Sequence, residues 1–223
     1  MLLSINNLTF GWRNEPLFQN VSCKMDRAEI VQLVGDNGSG KTTLLKLIVG
    51  MIPHFERGRI LQGEIYFDNS AVFQTAPNAL FPAVGFVPGK NIDFFLMMEN
   101  LKDEMIFTTS LLKTEQSDFD VRREEFIGIF PRFRECLNRP YRQMDFSDKV
   151  LALTFIYFLQ NATLFLFDEV MNGFSAIEMG QWQDFFALLM ERQKSVIFID
   201  HQTTDERIAK WILTQGQLTA RYD

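Results

Sequence analysis

The stretch GDNGSGKT, Gly35 to Thr42, limits what this chain can fold into more than any other feature of its sequence. It follows an apolar run, EIVQLV, and leads into a helical pattern, TLLKLIV, so it reads as a glycine loop between a strand and a helix. Glycines at 35, 38 and 40 let the backbone wrap tightly and turn successive N–H groups inward, towards a phosphate. The N-terminus of the following helix adds its positive end. Lys41 can bridge the β- and γ-phosphates of a nucleotide, and the Thr42 hydroxyl can take a place on Mg²⁺. The candidate cradle is therefore Gly35, Asp36, Asn37, Gly38, Ser39, Gly40, Lys41, Thr42 and Thr43.

Such a site needs a carboxylate at the end of a neighbouring strand. TLFLFDEV supplies one: Asp168 can hold Mg²⁺, with Thr42 as the second metal residue, and Glu169 can orient or deprotonate an attacking water. SVIFIDHQ is a further apolar strand ending in His201, which can reach the γ-phosphate and that water. An acidic pair after a strand is more often a turn, and a lone histidine is usually structural; the phosphate loop gives both their meaning.

The remaining pattern is that of an α/β core. Strand runs lie at LLSINNLTF, EIVQLVG, GEIYFD, VGFVP, LFLFDE and SVIFID, several apolar on consecutive residues as in a sheet covered on both faces. Helical patterns lie between them, one of them IEMGQWQDFFALLMER with Ser175 as its N-cap. WILTQGQLTARYD reads as two short strands turning at Gly216. From about 90 to 160 helical, charged segments take over, which predicts a helical subdomain inserted into a core made of 1–89 and 161–223. VLALTFIYFLQNATLFLF is the most apolar region, but Gln160, Asn161 and Thr163 interrupt it short of a membrane span, so it reads as a buried helix running into a buried strand.

The net charge of −6 argues against a nucleic-acid partner. Cys23 and Cys136 match no metal spacing and read as buried thiols in a reducing compartment. The start, MLLSINNLTF, lacks the regions of a secretory signal, so a cytoplasmic location is expected.

With the phosphate loop, FLFDE and His201 in this order and spacing, the chain resembles the ATP-binding cassette (ABC) ATPases over essentially its whole length. That resemblance implies a P-loop NTPase (RecA-like) core, an antiparallel β subdomain and an inserted α-helical subdomain, in one cassette spanning 1–223. It implies ATP and Mg²⁺ as cofactors, and ATP hydrolysis with Glu169, His201 and Lys41 in the catalytic roles. LTFGWRNEPLFQNVSC resembles the family's opening, in which an aromatic stacks on adenine; by position this is Trp12, with a buried core tryptophan as the competing reading.

Three elements depart from the family's pattern. In the family two cassettes face each other, and each ATP lies between one partner's phosphate loop and the other's signature, usually LSGGQ. Here the signature position holds MDFSD, Met144 to Asp148, where Asp145 and Asp148 would bring negative charge towards ATP and Phe146 blocks close backbone approach. VGFVPG ends at Gly89 where the family carries a glutamine, and DEVMNGFS ends at Ser175 where it usually has an aspartate. The chain is thus expected to need a different cassette with an intact signature.

The family's smallest members dock beneath an integral membrane transporter subunit on the inner face of the cell membrane, and the same position is expected here. IDFFLMMENL can line the groove that receives that subunit, or can belong to the core of the helical subdomain. MIPHFERGRILQGEIYFD resembles cassettes of energy-coupling-factor uptake systems for micronutrients. Two other readings stay open: a non-hydrolysing regulatory partner, and a soluble ABC ATPase outside transport.

Overall fold

The computed structural model describes residues 1–12, 15–112, 116–172, 174–200 and 208–221. In chain order its elements are β1 (Leu3–Gly11), β2 (Phe18–Met25), β3 (Ile30–Val34), α1 (Lys41–Ile48), α2 (Met51–His54), β4 (Arg59–Phe67), β5 (Ser70–Ala71), α3 (Pro77–Leu80) and β6 (Val84–Pro88). There follow α4 (Leu101–Leu112), α5 (Gln116–Ile129), α6 (Phe133–Cys136), α7 (Phe146–Leu159), β7 (Leu164–Asp168), α8 (Ala176–Glu191), β8 (Ser195–Ile199), β9 (Ala209–Thr214) and β10 (Gln217–Arg221).

Two sheets organise these elements. The larger has the order β10-β9-β3-β8-β7-β6, parallel from β9 to β6 with β10 antiparallel at one edge. Every residue of β6, β7 and β8 is buried, as the continuous apolar runs require of strands covered on both faces. The smaller sheet, β2-β1-β4-β5, is antiparallel. Its strand β2 escapes a reading by sequence pattern. Phe18, Val21, Cys23 and Met25 alternate inward only after a break at Asn20, whose positive φ of 52° accompanies a register shift against β1. The strand read as GEIYFD is also longer, since β4 begins at Arg59.

The helical expectations are met where the sequence gives caps or continuous burial. α7 is apolar on nearly all sides and buried from Val150 to Ile156, and leads into β7 as its sequence predicts. Ser175 caps α8 through a reciprocal capping box with Glu178. β9 and β10 turn at Gln215 and Gly216, both with positive φ, the backbone that a two-residue hairpin with a right-handed twist needs. Between β6 and β7 the described residues form α4 to α7 and short 3₁₀ turns. A phenylalanine cluster holds these helices together and to α8: Phe126 packs against Phe130, Phe133, Phe155, Phe158 and Phe185, with ring centroids 4.9–6.2 Å apart. Cys23 and Cys136 are both buried and free. Among the described residues no helix is long and apolar enough to cross a membrane.

Candidate functional site

The phosphate loop leaves β3 and enters α1, and packing dictates its glycines. A side chain at Gly40 would meet the Phe18 ring at 2.7 Å, and Gly40 holds φ at 101° as the residue before the helix. A Cβ at Gly35 would lie 2.2 Å from the Leu213 carbonyl of β9. Gly38, with φ 81°, has open space beside it, so its backbone is free for a ligand's approach. Behind the loop Leu44, Leu45, Leu47 and Ile48 anchor α1 in the core. No side chain caps α1, so its first N–H groups remain available to an anion.

Two polar atoms in the loop bear on whether a triphosphate fits. The Lys41 ammonium, almost fully buried, donates to the loop's own carbonyls at Gly35 (2.8 Å) and Asp36 (3.1 Å). The buried Ser39 Oγ has no hydrogen-bond partner among the described residues. Both are what a loop shaped for phosphate oxygens presents when it is seen alone: a cation folded back on its own backbone, and an orphaned hydroxyl. The donor set therefore fits the group.

Across from the loop, the parallel pairing of β6, β7 and β8 brings Asp168 level with Pro88 and Ile199 at the strand ends. The Thr42 hydroxyl donates to Asp168 Oδ1 at 2.9 Å, joining the two residues expected to share a metal. Burial pushes the Asp168 carboxyl above its usual range, while the Thr42 bond, Lys46 and Lys41 pull it back. No cluster of three or more histidine, cysteine or acidic side chains that could hold a metal occurs among the described residues. A hydroxyl plus one carboxylate suits a hard cation that keeps waters and binds through phosphate. Glu169 follows with φ 57°, a left-handed conformation unusual for glutamate, fixed by its N–H bond to the Ile199 carbonyl at 3.2 Å. These groups border a cavity of about 540 Å³ that also includes Asn37, Gly38, Lys46, Gly89, Lys90 and Asn91. His201 lies outside the described residues.

Trp12 is 42 % exposed and touches Phe10 edge-on at 5.2 Å, whereas Trp182 and Trp211 are buried. The competing reading of Trp12 as a core residue is thereby excluded.

The signature position is built differently from the sequence expectation. The Asp145 carboxylate caps α7, accepting from the Asp148 N–H at 2.8 Å. Asp148 does not project towards a partner. It is buried, accepts from Arg139 at 2.7 Å and lies 3.7 Å from Arg132, which in turn pairs with Glu178 at the start of α8 at 2.7 Å. Its charge is neutralised inside the chain, so only Asp145 can set negative charge against a phosphate there. Phe146 is partly exposed beside it, and the end of α7 is already capped. Gly89 also has a structural cause: a Cβ there would lie 2.3 Å from the Asp168 carbonyl, so β6 runs too close to β7 for any side chain.

A second cavity, an apolar groove of about 630 Å³, lies between β6 and helices α4 and α7. IDFFLMMENL divides between the two roles open to it: Ile92 is buried, while Phe94 (85 % exposed) and Met97 (72 %) stand at the groove. Inside, the buried Glu104 accepts the N–H groups of Met97 and Met98 and holds this segment in place. Sequence pattern missed Glu104, Lys46 and Lys90. Lys46 alone left a signal, one helical turn beyond Thr42 and so on the same face.

The ABC transporter family profile matches residues 18–172. The manganese transport system ATP-binding protein MntB of Bacillus subtilis (strain 168) is 22% identical over 212 residues, covering 95% of this chain and 82% of that one. The energy-coupling factor transporter ATP-binding protein EcfA1 of Fusobacterium nucleatum is 22% identical over 219 residues, covering 97% and 80%. The chain spans about a third of the length of three Bacillus relatives described as ABC transporter ATP-binding proteins, at 26% identity. Among solved structures, an ATP-binding subunit of an ABC transporter superposes with a TM-score of 0.86 at 19% identity, over 100% of this chain and 90% of that one.

Proposed function

The chain belongs to the ABC transporter family, and on that premise we propose that it binds and hydrolyses ATP as one subunit of a transporter, paired with a different cassette. The whole of 1–223 is taken as one cassette, with 90–160 as its helical subdomain. The carrying observation is an asymmetry within the chain. Its own loop is complete, with Lys41, an orphaned Ser39 hydroxyl and the Thr42–Asp168 bond, while its signature position is closed by the Asp145 cap and the Asp148–Arg139 pair.

In this reading residues 35–43 cradle the phosphates, Lys41 swings from the loop carbonyls to the phosphate oxygens, and Trp12 stacks on adenine. Thr42 and Asp168 would hold Mg²⁺, which supplies charge neutralisation on the phosphates. Glu169 orients and deprotonates the water, and His201 contacts the terminal phosphate. The partner's signature closes the site from the other side, because MDFSD cannot do so for a second copy. The membrane subunit docks in the groove flanked by Phe94 and Met97, on the inner face of the cell membrane. In this reading the cargo is a metal or another micronutrient that is taken up; the name of MntB, a manganese transport system protein, supports a metal, and that of EcfA1 an energy-coupling factor transporter.

A non-hydrolysing regulatory role is favoured by Gly89 and the closed signature, and opposed by Glu169. A soluble ABC ATPase outside transport has no observation in its favour. The test is ATPase activity of the purified chain, alone and with the second cassette of its complex. Slow turnover alone and fast turnover together support the reading; fast turnover of the single chain overturns it.

A further inference from the structure

We propose that Lys90 recognises the terminal phosphate and so lets this chain tell ATP from ADP. The proposal rests on the reading of the 540 Å³ cavity as the ATP site. That cavity has three walls: the phosphate loop at Asn37, Gly38 and Thr42, the carboxylates Asp168 and Glu169, and the turn from Gly89 to Asn91.

The third wall has an unusual composition. Gly89 offers no side chain, and none fits there, because a Cβ would lie 2.3 Å from the Asp168 carbonyl. Asn91 takes a left-handed φ of 58° and turns the chain into the 3₁₀ helix Ile92–Phe95. Lys90, between them, is the first charged residue of this wall and lines the cavity, at the seam with a neighbouring hollow beside Phe146 and Lys149. Asp93, three residues further on, pairs with Lys149 at 2.7 Å and so links the turn to α7.

Charge gives Lys90 its task. Asp168 and Glu169 already face the cavity, and a triphosphate brings further negative charge beside them. The other ammonium in the lining, Lys46, is held by Glu56 at 2.6 Å, and Lys41 lies deep in the loop. Lys90 is exposed and forms no ion pair among the described residues, so its ammonium is available to a ligand without first breaking a contact. This wall meets Asp168 at Gly89 and shares the cavity with Thr42, and a metal held by those two residues would bridge the last two phosphates of ATP, which in this reading brings the third phosphate to the turn. A lysine there strengthens ATP binding and leaves ADP untouched.

The test is calorimetric titration of the full chain with ATP and with ADP, for the wild type, Lys90→Ala, Lys90→Arg and Lys41→Ala. Lys90→Ala should weaken ATP about tenfold, the effect of one charge-assisted hydrogen bond, with ADP unchanged and Lys90→Arg close to wild type. In EDTA the wild-type preference for ATP should persist, and Lys90→Ala should reduce it by the same factor of about ten, which separates the lysine from the metal. Unchanged ATP affinity in Lys90→Ala, or equal weakening of both nucleotides, overturns the proposal. If Lys41→Ala binds as well as the wild type, the ATP-site reading itself fails and this inference falls with it.

Discussion

Replacing Asp148 by asparagine asks whether the signature region is locked inside the chain, as the Arg139 and Arg132 contacts require. The carboxylate is buried, while its arginine partners keep 35 % and 39 % of their side-chain surface in water. Breaking a fully buried pair costs about 3–5 kcal/mol, and an exposed one contributes less than about 1 kcal/mol. With one side buried and the other hydrated, the cost of Asp148→Asn falls between, at about 2 kcal/mol. The helix cap is untouched, since the donor is the backbone N–H of residue 148 and the acceptor is Asp145. Urea unfolding followed by circular dichroism measures the loss, and a double-mutant cycle with Arg139→Met should return a coupling of about 1–2 kcal/mol. A loss under about 0.5 kcal/mol, or no coupling, would refute the inward-facing carboxylate and restore an Asp148 that projects towards the partner. A corollary concerns grafting LSGGQ at 144–148. The graft removes the same carboxylate and places two glycines in the first turn of α7, so it should destabilise the chain, and replacing Arg139 with it should recover only the part that comes from the lost pair.

Other outcomes follow from single residues. Trp12, the exposed one of the three tryptophans, should dominate any change in intrinsic fluorescence on adding ATP; persistence of that change in Trp12→Phe would remove the stacking role. Because burial raises the Asp168 carboxyl, the stability that this one group contributes to the nucleotide-free chain is lost as pH rises through its titration. Asp168→Asn should therefore raise the melting temperature without ligand but abolish the further rise with Mg²⁺ and ATP, and a lower ligand-free melting temperature would contradict this. Burial, with Arg122 and Arg192 nearby, lowers Lys194 to about 8. Such a lysine costs stability when charged, below its folded value, and that cost fades as pH rises towards 10.5. Lys194→Gln should thus be the more stable form at pH 7, with the gap from wild type narrowing between pH 8 and 10.5.

Much of this architecture is legible in the sequence because it is local. The glycine loop, the continuous apolar runs of β6, β7 and β8, the Ser175 cap and the Gly216 turn each carry their cause within a few residues. β2 was not legible, since the bulge at Asn20 breaks its alternation and only pairing with β1 makes it a strand. The orientation of Asp148 was not legible either. Its partners sit nine and sixteen residues earlier in the chain, and only the packing of α6 against α7 brings them together. Gly89 shows the same limit in another form. Its sequence suggests a lost side chain, and the approach of β6 to β7 explains why none can stand there.

The central claim is that hydrolysis occurs on this chain's loop, closed by the partner's signature. It is tested most directly by measuring ATP turnover of the assembled complex with Glu169→Gln, against the matching change in the second cassette. The glutamine amide keeps the shape of the glutamate but cannot accept the water's proton, and a positioned base contributes about 10²–10⁴-fold in rate. The account predicts a loss of that size from Glu169→Gln and little change from the partner's substitution, whose ATP faces MDFSD. The reverse asymmetry would contradict it and make this chain the regulatory half.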